Sequence, residues 1–75
     1  MARFYFHVFS GRTVIDTTGI DLPDAALARE EAVRLAGTLL KEEASTIALG
    51  QSWEMSVTEG DGRVLFRLSV SVSGS

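Results

Sequence analysis

At 75 residues, with a formal net charge of −3 and an isoelectric point near 4.9, the chain is long enough for one domain and has the wrong sign for a protein that binds by neutralising phosphates. It has no cysteine and a single histidine, which excludes disulfide staples, cysteine-based zinc sites and thiol nucleophiles. No stretch approaches membrane-spanning length and the apolar run behind Met1 is too short and too aromatic for a signal peptide, so a single cytoplasmic domain over residues 1–75 is expected.

Residues 3–9, RFYFHVF, alternate Phe4, Phe6 and Val8 against Arg3, Tyr5 and His7, the period of a strand with one wet face. Ser10, Gly11 and Arg12 supply a turn, and residues 13–16 form a shorter second strand. With Ser10 and Gly11 as the two loop residues, Phe6 faces Ile15 and His7 faces Val14, so Ile15 joins the apolar side. Residues 17–22 are a connector that bends at Gly19.

Pro23 and Asp24 open a helix: proline is tolerated in the first turn, and the carboxylate suits the cap or the positive end of the dipole. Ala25, Ala28, Ala32, Leu35, Ala36, Leu39 and Leu40 recur at helical spacing up to about Glu43. The stripe is mostly small, and Gly37 within it suggests close approach to a sheet carrying the bulky residues. Residues 45–51, with Ile47, Leu49 and Gly50, end the helix.

Two further strands complete the chain. Residues 52–59 place Trp53, Met55 and Val57 on one face, and residues 63–72 place Val64, Phe66, Leu68, Val70 and Val72 there. A two-residue Asp61-Gly62 loop pairs Val57 with Phe66, Met55 with Leu68 and Trp53 with Val70, and puts Glu54, Ser56, Thr58, Leu65, Arg67 and Ser69 on the opposite face. The expected fold is α+β, in the order β-β-α-β-β: a four-stranded antiparallel sheet, order 2-1-3-4, with one helix on one face. Its core is Phe4, Phe6, Val8, Ile15, Leu35, Leu39, Trp53, Met55, Val57, Phe66 and Leu68.

Chemistry-bearing residues are few. His7 is the single candidate general base, and the face it shares forms the candidate cluster Arg3, Tyr5, His7, Glu54 and Arg67. No nucleophile motif surrounds it, and a half-covered histidine on an open sheet face accounts for it without catalysis. Tyr5 and Phe9 with Arg3 and Arg67 outline a base-stacking surface, but paired aromatics on two central strands are missing and the acidic total opposes nucleic acid. Asp16, Asp21 and Asp24 lack calcium-loop spacing, and Gly60 and Gly62 precede a strand, not the helix that a phosphate cradle requires. No metal, cofactor or catalytic residue is assigned, and enzymatic activity is disfavoured.

The opening R-F-Y-F-H-V (3–8), the L-P-D (22–24) before an alanine-rich helix with A-R-E-E-A (28–32), and the closing W-x-M-x-V-x-x-x-D-G-R-V-L (53–65) resemble a family of short bacterial proteins built on a domain of unknown function. The matching residues are Arg3, Tyr5, Phe6, His7, Leu22, Pro23, Asp24, Trp53, Asp61, Gly62, Arg63 and Val64. The resemblance implies no activity. Where that family usually has an acidic residue in the first turn, this chain has Ser10.

Ordering so short a chain costs on the order of 100 kcal/mol at ~1.5 kcal/mol per residue, so most apolar side chains must be buried, internally or against a partner. The expectation is a small protein-interaction or regulatory module, a homodimer joined through the fourth strand. That run, RVLFRLSVSV from Arg63 to Val72, has neither proline nor lysine to blunt its edge. The alternatives are a small-ligand-binding or enzymatic protein using the face around His7, and an antitoxin-like protein whose acidic helix occludes a basic partner.

Overall fold

The computed structural model describes residues 1–11, 13–45 and 52–74. Among the described residues, five strands and one helix occur in the order β1 (Ala2–Phe9), β2 (Thr13–Val14), β3 (Ile20–Leu22), α1 (Ala25–Glu42), β4 (Ser52–Glu59) and β5 (Val64–Ser71). Arg12 of the first turn, Ser75, and the Ile47, Leu49 and Gly50 segment read as the end of the helix lie outside the described residues.

The sheet is antiparallel in the order β2-β1-β4-β5, and β3 also pairs with β1. It therefore has five strands, not four, because the connector after Asp16 returns to β1 and pairs Ile20 with Phe4, Asp21 with Arg3 and Leu22 with Ala2. β2 and β3 share one edge of β1. Between the pairs Val8↔Val14 and Phe4↔Ile20, β1 spans 8 − 4 = 4 residues and the edge segment 20 − 14 = 6, so two extra residues bulge out there.

The first turn is one residue longer than expected. Val8 pairs with Val14 and Phe9 with Thr13, a register shifted from the one that put Ile15 opposite Phe6. A one-residue slip moves each side chain to the other face. Ile15 falls just outside β2 and, instead of joining the core opposite Phe6, stands 56% exposed.

The three apolar pairs expected between the last two strands are present: Val57↔Phe66, Met55↔Leu68 and Trp53↔Val70. They are reached differently. The loop has three residues, Gly60, Asp61 and Gly62, with Gly62 N–H donating to Glu59 O at 2.8 Å and Gly62 at φ +87°, a turn closed by a left-handed glycine. Register then shifts between Val57 and Thr58, so Thr58 pairs with Val64 and Leu65 is left over. Leu65 packs against the core and is not part of the opposite face where the two-residue loop had placed it.

The helix starts where the sequence placed it. Asp24 caps it, its Oδ1 accepting from Leu27 N–H at 2.9 Å. Ala28, Ala32 and Ala36 are buried against Phe4, Phe6, Val8, Trp53, Met55 and Val57, small residues on the helix facing large ones on the sheet. Leu35, Leu39, Leu40, Phe66, Leu68 and Val70 complete this layer as partly buried neighbours, while Ala25 is exposed. Gly37 is exposed as well, with nothing within 4 Å of where its Cβ would stand, so the close approach belongs to the alanines.

Candidate functional site

Side-chain chemistry collects on the sheet face opposite the helix and at the β1 edge beside it. Strand alternation sends Arg3, Tyr5 and His7 of β1 to that face. Register places Tyr5 opposite Thr58, His7 opposite Ser56 and Phe9 opposite Glu54, while Arg67 of β5 lies opposite Ser56. Ser56 and Thr58 are buried although no helix covers them, because short side chains sit between the large ones of the flanking strands.

The candidate cluster therefore divides in two. On β5 and β4, Arg67 Nε lies 3.7 Å from Glu54 Oε1, a solvent-exposed pair. On β1, Arg3, Tyr5 and His7 engage the edge segment instead. His7 and Arg67 are separated by Ser56, about 10 Å at ~4.8 Å per strand, too far to act on one small group together.

His7 has both ring nitrogens occupied. The Asp16 backbone N–H donates to Nδ1 at 3.1 Å, and Nε2 is 3.0 Å from Thr58 Oγ1. Because Nδ1 must offer a lone pair to the Asp16 N–H, the neutral ring carries its proton on Nε2 and donates it to Thr58. The ring of Tyr5 stacks parallel to the imidazole, 5° between planes and 6.4 Å between centroids.

Asp16 fills the interruption between β2 and β3. Its Oδ2 accepts from Phe6 N–H at 3.1 Å, the β1 donor that faces the gap, and its Oδ1 accepts from Thr18 N–H and Gly19 N–H at 3.0 and 3.1 Å. Burial alone would raise its pKa, but the N–H groups of Gly19, Phe6 and Thr18, together with His7, outweigh burial and hold the carboxyl below its ordinary value. Arg3 closes the far side: Nε and Nη2 each donate to Asp21 at 3.0 Å, and Nη1 donates to Thr18 O at 2.6 Å. The hydrogen bond to Asp21 raises the pKa of Arg3 further above its ordinary value.

Asp16, Asp21 and Asp24 thus have three separate tasks: the gap, the arginine and the helix cap. Among the described residues no group of three or more His, Asp or Glu side chains is arranged to hold a metal ion, and no helix is long and apolar enough to cross a membrane. On the other side of the edge segment, Phe6, Val8, Val14, Ile15, Leu35 and Leu39 line an open groove of about 510 Å³.

A family model described as a domain of unknown function, DUF6894, matches residues 3–71, from Arg3 to Ser71. The chain belongs to the DUF6894 family. Searches of curated proteins and of solved structures find no match. The matched span of this DUF6894 domain takes in each residue of the β1 site and the whole of β5.

Within it, Asp16, Gly19 and Thr58 are the site residues that a search for catalytic groups passes over. The D-T-T-G stretch, residues 16–19, was the available signal, since an aspartate accepting from the N–H groups two and three residues on is an Asx turn. Nothing in the strand pattern shows that Thr58 would receive the histidine, because it is a diagonal neighbour and not the residue opposite.

Proposed function

We propose that this DUF6894 domain is a small self-associating interaction module whose contact surface is the free edge of β5. The observation that carries this reading is the uneven burial across the sheet. Phe4, Phe6 and Val8 of β1 and Trp53, Met55 and Val57 of β4 are buried, whereas Phe66, Leu68 and Val70 of β5 are only partly covered. Val72 beyond them is 36% exposed. The helix packs against β5 as well as β4, yet these β5 side chains stay partly open and form an apolar ledge along the edge.

The ledge and the edge coincide. β5 ends the strand order and runs eight residues without proline or lysine, so its outward N–H and C=O groups form a template for another strand. A second copy pairing antiparallel across a two-fold axis satisfies those groups and sets its own Phe66, Leu68 and Val70 beside the first.

The rival sites offer less. Catalysis by His7 needs a free ring nitrogen facing a concavity, and both are engaged within the chain. Occlusion of a basic partner by the helix needs an acidic surface, yet Arg34 pairs with Glu30 and Glu31 on its exposed side. Amide exchange at increasing protein concentration tests the proposal. Protection along β5 should rise with concentration while that of β1 stays constant, and protection of β5 independent of concentration overturns it.

A further inference from the structure

We propose that His7 is a proton-operated latch on the edge segment, fastening the turn at Asp16 to β1 while its ring is neutral and releasing that turn when the ring is protonated. The geometry gives the proton one place to go. Nε2 already bears hydrogen toward Thr58, so an added proton must bind Nδ1, and there it meets the Asp16 N–H at 3.1 Å. Two donors then face each other, and the contact becomes repulsive.

The charged and titratable groups around the ring determine how that repulsion is relieved. On β1, Arg3 is committed to Asp21 and Thr18, and Tyr5 is stacked on the ring. β4 contributes Ser56, Thr58 and, opposite Phe9, Glu54; β5 contributes Arg67, beyond Ser56 and paired with Glu54. The edge segment supplies Asp16, whose carboxylate is the group best placed to receive the new Nδ1–H. It can do so only by giving up some of its bonds to Phe6, Thr18 and Gly19. Protonation therefore loosens the turn that is built on that carboxylate and leaves the Phe6 N–H without its acceptor. Arg3, bound to Asp21 and Thr18 O, and the pairing of Ile20 with Phe4 hold the far end of the segment, so the loosening is confined to the turn at Asp16.

Nuclear magnetic resonance of the intact chain tests this. At about pH 8 the imidazole nitrogen shifts should report the Nε2–H form. On lowering the pH to about 5, the Asp16, Thr18 and Gly19 amide resonances should move with the midpoint of His7. Exchange of the Phe6 and Gly19 amides, corrected for its intrinsic pH dependence, should quicken about tenfold or more. In His7→Asn, where the amide oxygen replaces Nδ1 as acceptor but takes up no proton, the amides should stay fixed over the same range. An Nδ1–H form at high pH overturns the proposal, as do amides that stay fixed while His7 titrates, or an unchanged response in His7→Asn.

Discussion

A methyl group on Gly19 would stand 2.9 Å from Cε2 of Tyr5, closer than carbon atoms approach in folded proteins. It would also meet Arg3 Cγ at 2.8 Å, and Gly19 has φ +75°, a left-handed backbone that side chains disfavour. The bulged edge segment therefore lies flat on β1 because this position has no side chain.

Gly19→Ala should destabilise the protein by about 2 kcal/mol or more, adding left-handed strain of ~1–2 kcal/mol to the contact with the Tyr5 ring. Gly37→Ala should act in the opposite direction, since that site is helical, exposed and open, and should stabilise by about 0.5–1 kcal/mol. Urea melts of the two variants check both signs together.

Volume matching between helix and sheet makes the core sensitive from both sides. Phe6→Ala should cost roughly 3–5 kcal/mol, a large fraction of the stability of so small a domain. Ala32→Leu should cost about 1–3 kcal/mol although it adds apolar surface, because the alanine is buried against the sheet with no room beside it. Thermal unfolding followed by circular dichroism separates these from the exposed helix change Val33→Ala, which should stay within about 0.5 kcal/mol.

Acid should act on the edge segment through Asp16. Its folded pKa lies below the unfolded value near 3.8, so its stabilisation is complete above that value and disappears as pH falls through the lower folded one. Asp16→Asn should lose on the order of 1–2 kcal/mol at neutral pH, where charge-assisted bonds to three N–H groups are replaced by weaker ones. The gap between variant and wild type should narrow as acid protonates Asp16. Denaturant melts at about pH 7 and about pH 3 measure it.

Much of this architecture is legible in the sequence because strong periodicity marks it. Phe4, Phe6 and Val8, the alternation around Trp53, and Ala28, Ala32 and Ala36 of the helix each bury the face they were expected to bury. What the pattern misses is local. A two-residue strand such as β2 has no period to read, so the loop length of the first turn, and with it the side taken by Ile15, rests on a choice between adjacent registers. β3 is hidden for the same reason. The site was legible only in part: the shared face of Arg3, Tyr5 and His7 comes from alternation, whereas the hold of Asp16 on both Phe6 and His7 arises from a bulge that sequence spacing does not announce. Leu65 left its expected face because the hairpin uses three loop residues and recovers the pairing with a bulge.

Pairing of two chains through the β5 edge makes the dimer the expected form in solution, and light scattering across a range of concentrations measures it directly. Wild-type protein at micromolar concentration should show twice the chain mass of 8.1 kDa. Ser69→Lys, which puts a charge on an exposed β5 position without touching the core, should return the mass to that of one chain with its circular dichroism unchanged. A single-chain mass for the wild type that persists as concentration rises, with rapid amide exchange along β5, would contradict pairing through this edge.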